Sequence, residues 1–298
     1  MEYYIKENEV FLEMKHRFVN QTISSFLTFF CQSKKRQFKL VNEGLLKHNF
    51  QIAKKDTTLK KGDILSFPYL FMEETPLAPY CQSLDVVYED PFLLIVNKPA
   101  GLLIHSDGNN VAYTLSNIVQ HYYFMTNQNC SVRPIHRLDK DTTGLVIFSK
   151  CLFFQPYFDF CLADKKIQRE YKAIVKGNIA QNTIIEIEKP IGRDRHHSNK
   201  QRISKTGKYA YTKVKSEVCK NDYTLLHCTL KTGRTHQIRV HLASIHHPIL
   251  SDCLYDKKSP LIHRCALHAY KISMQHPITN QELLVQIDMP YDMKKLIQ

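Results

Sequence analysis

The stretch "RPIHRLDKDTTGLVIFSK", residues 133–150, decides how the rest of the chain is read. Its second half carries the apolar run Leu145 to Phe148, of strand length and fit for a buried strand. Its first half sets Arg137, Asp139, Lys140, Asp141 and Gly144 around two threonines, the chemistry of a tight turn. By itself this is a charged turn feeding a strand. If the residues before the turn are extended, Arg137 and Asp139 point the same way, because side chains alternate along extended backbone. A carboxylate between fixed cations stays ionised. The hydroxyls of Thr142 and Thr143 and the backbone N–H groups of such a turn are able to brace it.

Outward from this strand the chain alternates between hairpins and short helices. "LDVVYEDPFLLIVNKPAG" (84–101) is two apolar runs broken by a turn. "TLSNIVQHYYF" (114–124) has helical spacing with Thr114 as its cap, and "YFDFCLADKKI" (157–167) is a second helix. "REYKAIVKG" (169–177) alternates as a strand. "YAYTKVKSEVCKNDYTLLHCTLKTG" (209–233) is a hairpin about "KND". "THQIRVHLASI" (235–245) suits a helix capped by Thr235. "ALHAYKISMQHPITNQELLVQIDMP" (266–290) is a closing hairpin. Strands that pair with sequence neighbours predict an α+β fold, a mixed and largely antiparallel sheet with flanking helices.

Residues 1–71 separate from this body as a smaller α+β unit, with 72–83 as a proline-containing linker and 84–298 as the main domain. Within the small unit Phe26, Phe29 and Phe30 have helical spacing. Gly44 reads as a helix C-terminal cap and "KKGD" (60–63) as a turn before a strand.

The chain has 298 residues and a net charge of +13. Residues 15–61 carry 11 Lys/Arg against two acids and residues 189–240 carry 13 against three, so the remainder is net acidic. Two basic zones on an acidic body point to a polyanion, and nucleic acid is the expected partner. Nine cysteines, an odd number without C-x-x-C spacing, argue against a disulfide framework and for a reducing compartment. No apolar run approaches the length of a membrane span, and the start of the chain has no secretory pattern. The expectation is a cytoplasmic monomer that uses no cofactor.

Metal chemistry is disfavoured. His236 and His241 are five apart, off the i, i+4 face that paired helix ligands need, and the cysteines lack zinc spacing. G-x-S-x-G and the phosphate-cradling loop G-x-x-x-x-G-K-[ST] are absent. Carboxylate chemistry is left, and Asp139 is its best candidate. The basic segment "DRHHSNKQRISKTGK" (194–208) reads as a mobile loop for phosphate contact.

Taken together, "EDPFLLIVNKPAGLLIHS", "HRLDKDTTGLVIFSK", "REYKAIVKG", "GKYAYT", "KTGRTHQIRVHLA", "HPILSDCLYD", "RCALHAYKISMQHPIT" and "DMPYDM" resemble the RluA family of RNA pseudouridine synthases. They run in the family's order from about residue 84 to the C-terminus. The resemblance implies isomerisation of uridine within ribosomal or transfer RNA, without external reagent. Asp139 matches the family's catalytic aspartate and Tyr171 its active-site tyrosine; Arg239 is the expected partner of Asp139. Whether the carboxylate attacks C1′ or assists an elimination stays open. Arg137 is implied to hold the flipped-out nucleotide, since C1′ and N1 are shielded in a stacked helix. Lys98, His105, Arg234, Lys200 and Lys208 are the further RNA-binding expectations. The histidines 136, 236 and 241 are expected to be structural. Thr143 stands where the family usually has Ser, and Ser251 where Gly is common. If position 251 needs positive φ, Ser there costs roughly 1 kcal/mol.

The small unit resembles the S4 RNA-binding module at Ser33-Lys34-Lys35, Glu43-Gly44, Asn49 and Lys61-Gly62-Asp63, with "HNF" (48–50) where "VNG" is usual. Lys34, Lys35 and Arg36 are its expected RNA contacts. The leading alternative is a non-catalytic protein of the same fold that grips structured RNA.

Overall fold

The computed structural model describes residues 1–69, 77–106, 108, 113–197 and 199–298. In chain order the first unit holds β1 (Glu2–Lys6), β2 (Glu9–Glu13), α1 (Ile23–Phe29), α2 (Lys34–Asn42), β3 (Lys47–His48), β4 (Gln51–Ile52) and β5 (Ile64–Pro68). The body follows with β6 (Val86–Glu89), β7 (Leu93–Lys98), α3 (Leu115–Met125), β8 (Arg133–Pro134), β9 (Thr143–Ser149), α4 (Gln155–Ala163) and β10 (Gln168–Lys176). Then come β11 (Ile184–Glu188), β12 (Ile191–Arg193), β13 (Gln201–Ile203), β14 (Tyr211–Lys220) and β15 (Tyr223–Leu230). The chain closes with α5 (Gln237–Ala243), β16 (Leu267–Gln275), β17 (Glu282–Gln286) and α6 (Tyr291–Ile297).

The body is built on a sheet in the order β11-β14-β15-β10-β16-β9-β7-β6, with β17 on β16 and β8 on β9. Its named pairings are antiparallel except β9 with β16, which is parallel. That parallel pair sets His268 beside Thr143 and Ala269 beside Gly144. An α+β fold with a mixed, largely antiparallel sheet is therefore what the chain forms. Local chemistry places the ends of its elements. Thr114 caps α3 through its Oγ1 and the Asn117 N–H, and Ser33 caps α2 through the Arg36 N–H. The β14–β15 turn uses Asn221 and Asp222 at φ +50° and +62°, the twist a two-residue hairpin needs.

Along β7 and β9 the side chains alternate between two cores. Leu94, Val96, Val146 and Phe148 face α3 and the strands of the site. Leu93, Ile95, Leu145 and Ile147 face the other way, onto α4 and the first unit. Both faces are covered, which is why these strands read as continuous apolar runs. The first unit's sheet, β1-β2-β5-β3-β4, shares that second core: the Phe67 ring stacks on Phe153 with centroids 4.0 Å apart. Gln32 Nε2 also donates to the Phe153 carbonyl at 2.7 Å.

The β1–β2 hairpin precedes α1 in the first unit. Two local expectations need correction. The basic segment 194–208 is not loop throughout: it contributes β13, which pairs with β12, and hydrogen bonds in both directions join Lys208 to Ile191. Thr235 is exposed and does not cap α5. The turn into that helix is held by Gln237, whose Oε1 accepts from the Arg234 N–H and the Thr232 hydroxyl. The expected linker falls partly outside the described residues, and 77–83 is without helix or strand. No described helix is long and apolar enough to cross a membrane.

Candidate active site

A cleft of about 1270 Å³ opens where β10 meets β15 and β16, beside the 135–142 loop and the start of α5. Asp139 sits in that loop as the first residue of a tight turn closed by Thr142 N–H on its carbonyl, at 3.1 Å. The turn is braced from beneath. Lys98 is fully buried, and its ammonium donates to the carbonyls of Lys140, Pro99 and Leu102, each at 2.8 Å. Lys98 is thus not a surface contact for RNA, contrary to the sequence expectation. Burial pushes its pKa down to about 7, opposed by the charges of Asp141 and Asp139.

Gly144 follows at φ +114°, and a Cβ there would lie 2.2 Å from the Ala269 carbonyl oxygen. Only glycine lets β9 approach β16 this closely. Thr143 Oγ1 bonds His268 Nδ1 across the same junction, at 2.8 Å.

Arg239, on α5, brings two distant acids together. Its Nη1 donates to Asp139 Oδ2 at 2.9 Å. Its Nε and Nη2 donate to the two oxygens of Asp252, at 2.8 and 2.7 Å. Asp252 is fully buried, whereas the Asp139 side chain stays about 21% exposed, facing the cleft. Burial opposes the guanidinium charge, but Asp252 and Asp139 outweigh it and hold Arg239 charged.

Tyr171 is 5% exposed and lines the same cleft. It lies on β10 at a bulge, where the register with β16 shifts between Glu170 and Tyr171. A bulge re-aims one side chain out of the strict alternation. Burial raises the phenol's pKa above its ordinary value, so it carries its proton at neutral pH.

Arg137, His105 and Arg234 are exposed and line the cleft. Arg234 is fixed by a bond from Nε to the Tyr209 carbonyl, at 3.0 Å. Partial desolvation against the cleft wall and the neighbouring Arg137 lower the pKa of His105, which favours its neutral form. Lys208 is exposed beside the β12–β13 hairpin, and the Lys200 ammonium lies 5.3 Å from the centre of the Tyr255 ring. Lys34 and Lys35 are exposed in the first turn of α2, well apart in sequence from the cleft. Arg36 differs from them: its guanidinium donates to the Leu152 carbonyl at 2.6 Å, so it fastens the first unit to the body.

Asp252, Tyr255 and Arg169 belong to the site and were not singled out from the sequence. Asp252 and Tyr255 lay inside the quoted segment "HPILSDCLYD". Nothing in that string marks which residue meets Arg239. His236, expected from the sequence to be structural, lies with its Nε2 3.8 Å from Asp139 Oδ1. Among the described residues no three His, Cys, Asp or Glu converge as metal ligands.

The chain is similar to known proteins in sequence and in fold. Residues 92–244 match the RNA pseudouridylate synthase family. A Bacillus subtilis protein, "Uncharacterized RNA pseudouridine synthase YhcT", is 38% identical over 253 residues, 84% of this chain and 83% of that protein. "Ribosomal large subunit pseudouridine synthase D" of Vibrio cholerae is 30% identical over 293 residues, 93% and 89% of the two chains. The structure of human RNA Pseudouridylate Synthase Domain Containing 1 superposes with a TM-score of 0.57 at 22% identity, covering 72% of this chain and 87% of that one. That likeness is one of fold. With its sequence matched over most of its length, the chain belongs to the RluA-type RNA pseudouridine synthases, isomerases that act on uridine in RNA.

Proposed function

We propose that Asp139 is the carboxylate that acts on the target uridine, in ribosomal RNA of the large subunit or in transfer RNA. One observation carries this reading: an acid half-open to a large cleft, bonded on one oxygen to a buried arginine whose other donors are held elsewhere. In the reaction the N1–C1′ bond breaks, the base turns, C5 bonds to C1′, and the C5 proton is exchanged for one on N1. An ionised carboxylate serves either attack on C1′ or proton removal at the sugar. Tyr171 packs against the flipped base and remains available as a proton donor. Arg137, His105 and Arg234 hold the extruded nucleotide, as chemistry on a base inside a stack requires.

Residues 1–71 extend the RNA footprint as an S4-like module, with Lys34 and Lys35 facing RNA. Lys200 and Lys208 add phosphate contacts from the β12–β13 side. The name of the Vibrio cholerae relative supports ribosomal RNA as the substrate class. In this reading the chain acts as a monomer in the cytoplasm, where such RNA resides.

Tritium release from RNA carrying 5-tritiated uridine tests the reading. Asp139→Asn should abolish release while RNA affinity survives; equal loss of both would count against a chemical role. Mapping pseudouridine in ribosomal and transfer RNA from cells with and without the gene identifies the site. Affinity should fall steeply with salt, as it does where several phosphates are neutralised.

A further inference from the structure

Among the described residues Asp139 has a hydrogen bond at one carboxylate oxygen. Arg239 holds Oδ2, while Oδ1 faces the imidazole of His236 at 3.8 Å. One hydrogen bond at Oδ2 only partly restrains the torsion about Cβ–Cγ, and that torsion sets where Oδ1 lies relative to the sugar.

His236 has an unusual place. It is the residue before α5, at φ +54° and ψ +22°, and its side chain makes no cap for the helix. A residue with a β-carbon is uncommon in that left-handed region, and such strain concentrates at functional positions. The side chain is 13% exposed. Its Nδ1 lies 3.0 Å from the hydroxyl of Tyr255, and the two rings meet edge to face.

The Tyr255 hydroxyl already has a donor. The Gln201 N–H, at the start of β13, points to it at 2.9 Å. Its oxygen is accepting from the hairpin, so its single proton is free to go to His236 Nδ1. Burial pushes the phenol up to about 12, so the proton is present at neutral pH. A neutral imidazole that accepts at Nδ1 must carry its proton at Nε2, the nitrogen that faces Asp139. Burial also disfavours the charged imidazole.

We infer that Tyr255 and His236 form a positioning relay: the Tyr255 hydroxyl fixes the His236 tautomer, and the His236 Nε2–H sets the orientation of the Asp139 carboxylate. This rests on Asp139 being the reacting acid, as proposed above. The 3.8 Å gap is longer than a hydrogen bond, and contacts of this kind tighten when substrate is bound. Because Tyr255 takes its other bond from β13, the relay also ties Asp139 to the basic hairpin. The role is one of positioning; His236 neither attacks nor gives up its proton.

The full-length chain tests this with RNA carrying 5-tritiated uridine. His236→Ala and Tyr255→Phe should lower kcat roughly 10- to 100-fold, the scale of a misplaced reacting group, with KM and RNA affinity little changed. His236→Gln, whose amide N–H replaces Nε2–H, should recover most of the loss. A normal kcat in His236→Ala, a change confined to KM, or no recovery with Gln would overturn the relay. Nitrogen-15 NMR of the unmodified protein gives a second readout that no unfolded variant can obscure. The His236 signals should be those of the neutral Nε2–H tautomer. The Nδ1–H tautomer or an imidazolium at neutral pH would sink it. Asp139→Asn run in parallel separates the two readings. If that variant still turns over, the role of Asp139 fails. If it is silent while His236→Ala is normal, only the relay fails.

Discussion

Arg239 gives Asp252 two of its N–H groups, at 2.8 and 2.7 Å, and Asp139 one, at 2.9 Å. The buried acid anchors the arginine, and the arginine then presents one donor to the acid at the cleft. Arg239→Lys cannot span both carboxylates, because an ammonium lacks the planar fork. It should lower turnover by roughly 100-fold while RNA affinity is retained, the pattern of a misplaced reacting group. Asp252→Ala should cost about 3 kcal/mol or more by leaving a buried charge half-compensated. Denaturant unfolding checks the second, and single-turnover kinetics the first.

Gly144 is a backbone contact before it is a turn residue. A Cβ there would lie 2.2 Å from the Ala269 oxygen and 2.7 Å from its carbonyl carbon. Gly144→Ala should part β9 from β16, or fail to fold, with a loss beyond about 3 kcal/mol. A thermal midpoint within a few degrees of the parent would refute the steric account.

Ser251 does occupy left-handed backbone, at φ +58°. Its hydroxyl compensates: it donates to the Ile262 carbonyl at 2.6 Å and accepts from the Ser259 N–H at 2.8 Å. Ser251→Gly removes strain and bonds together, and should change stability by less than about 1 kcal/mol. Ser251→Ala keeps the strain and orphans two buried groups, so it should cost roughly 2 kcal/mol. Equal midpoints for the two variants in urea would contradict this.

Acid should unfold the protein through its buried histidines. Burial pushes His136 down to about 3 and His268 to about 4. Both are depressed below the unfolded value near 6.5, so below that pH the unfolded chain binds the extra protons. Their contribution to stability is whole above about pH 6.5 and drains as pH falls toward 4 and 3. His136 accepts the Ile147 N–H at Nε2, which requires its neutral form. His136→Gln, which keeps an acceptor without a titration, should flatten the fall in thermal midpoint between pH 6.5 and 4. An unchanged slope would assign acid sensitivity elsewhere.

Much of the fold was legible because its signals are local. Thr114 before "LSNIV", Gly44 after a helical run and "KND" between alternating runs each report backbone conformation within a few residues. The β1–β2 turn, with Glu7 and Asn8 at φ +49° and +67°, carries no glycine or proline to mark it in the sequence. Lys98 was misread for a different reason. An amine in a surface-like "NKPAG" string gives no hint that the carbonyl of Lys140, from a distant loop, joins those of Pro99 and Leu102 around it.

By itself, then, the sequence determined the fold class, most of the body's elements, the family, and the candidate residues Asp139, Tyr171 and Arg239. These depend on residue type, short-range periodicity and motif order. The tertiary structure alone decided which partners meet: Asp139 with an arginine 100 residues away, Asp252 as that arginine's anchor, and Tyr255 behind His236. Those meetings rest on the β10-β16-β9 strand order and the close approach at Gly144. Strand order and close approach arise from packing between distant segments, which no local pattern of residues encodes.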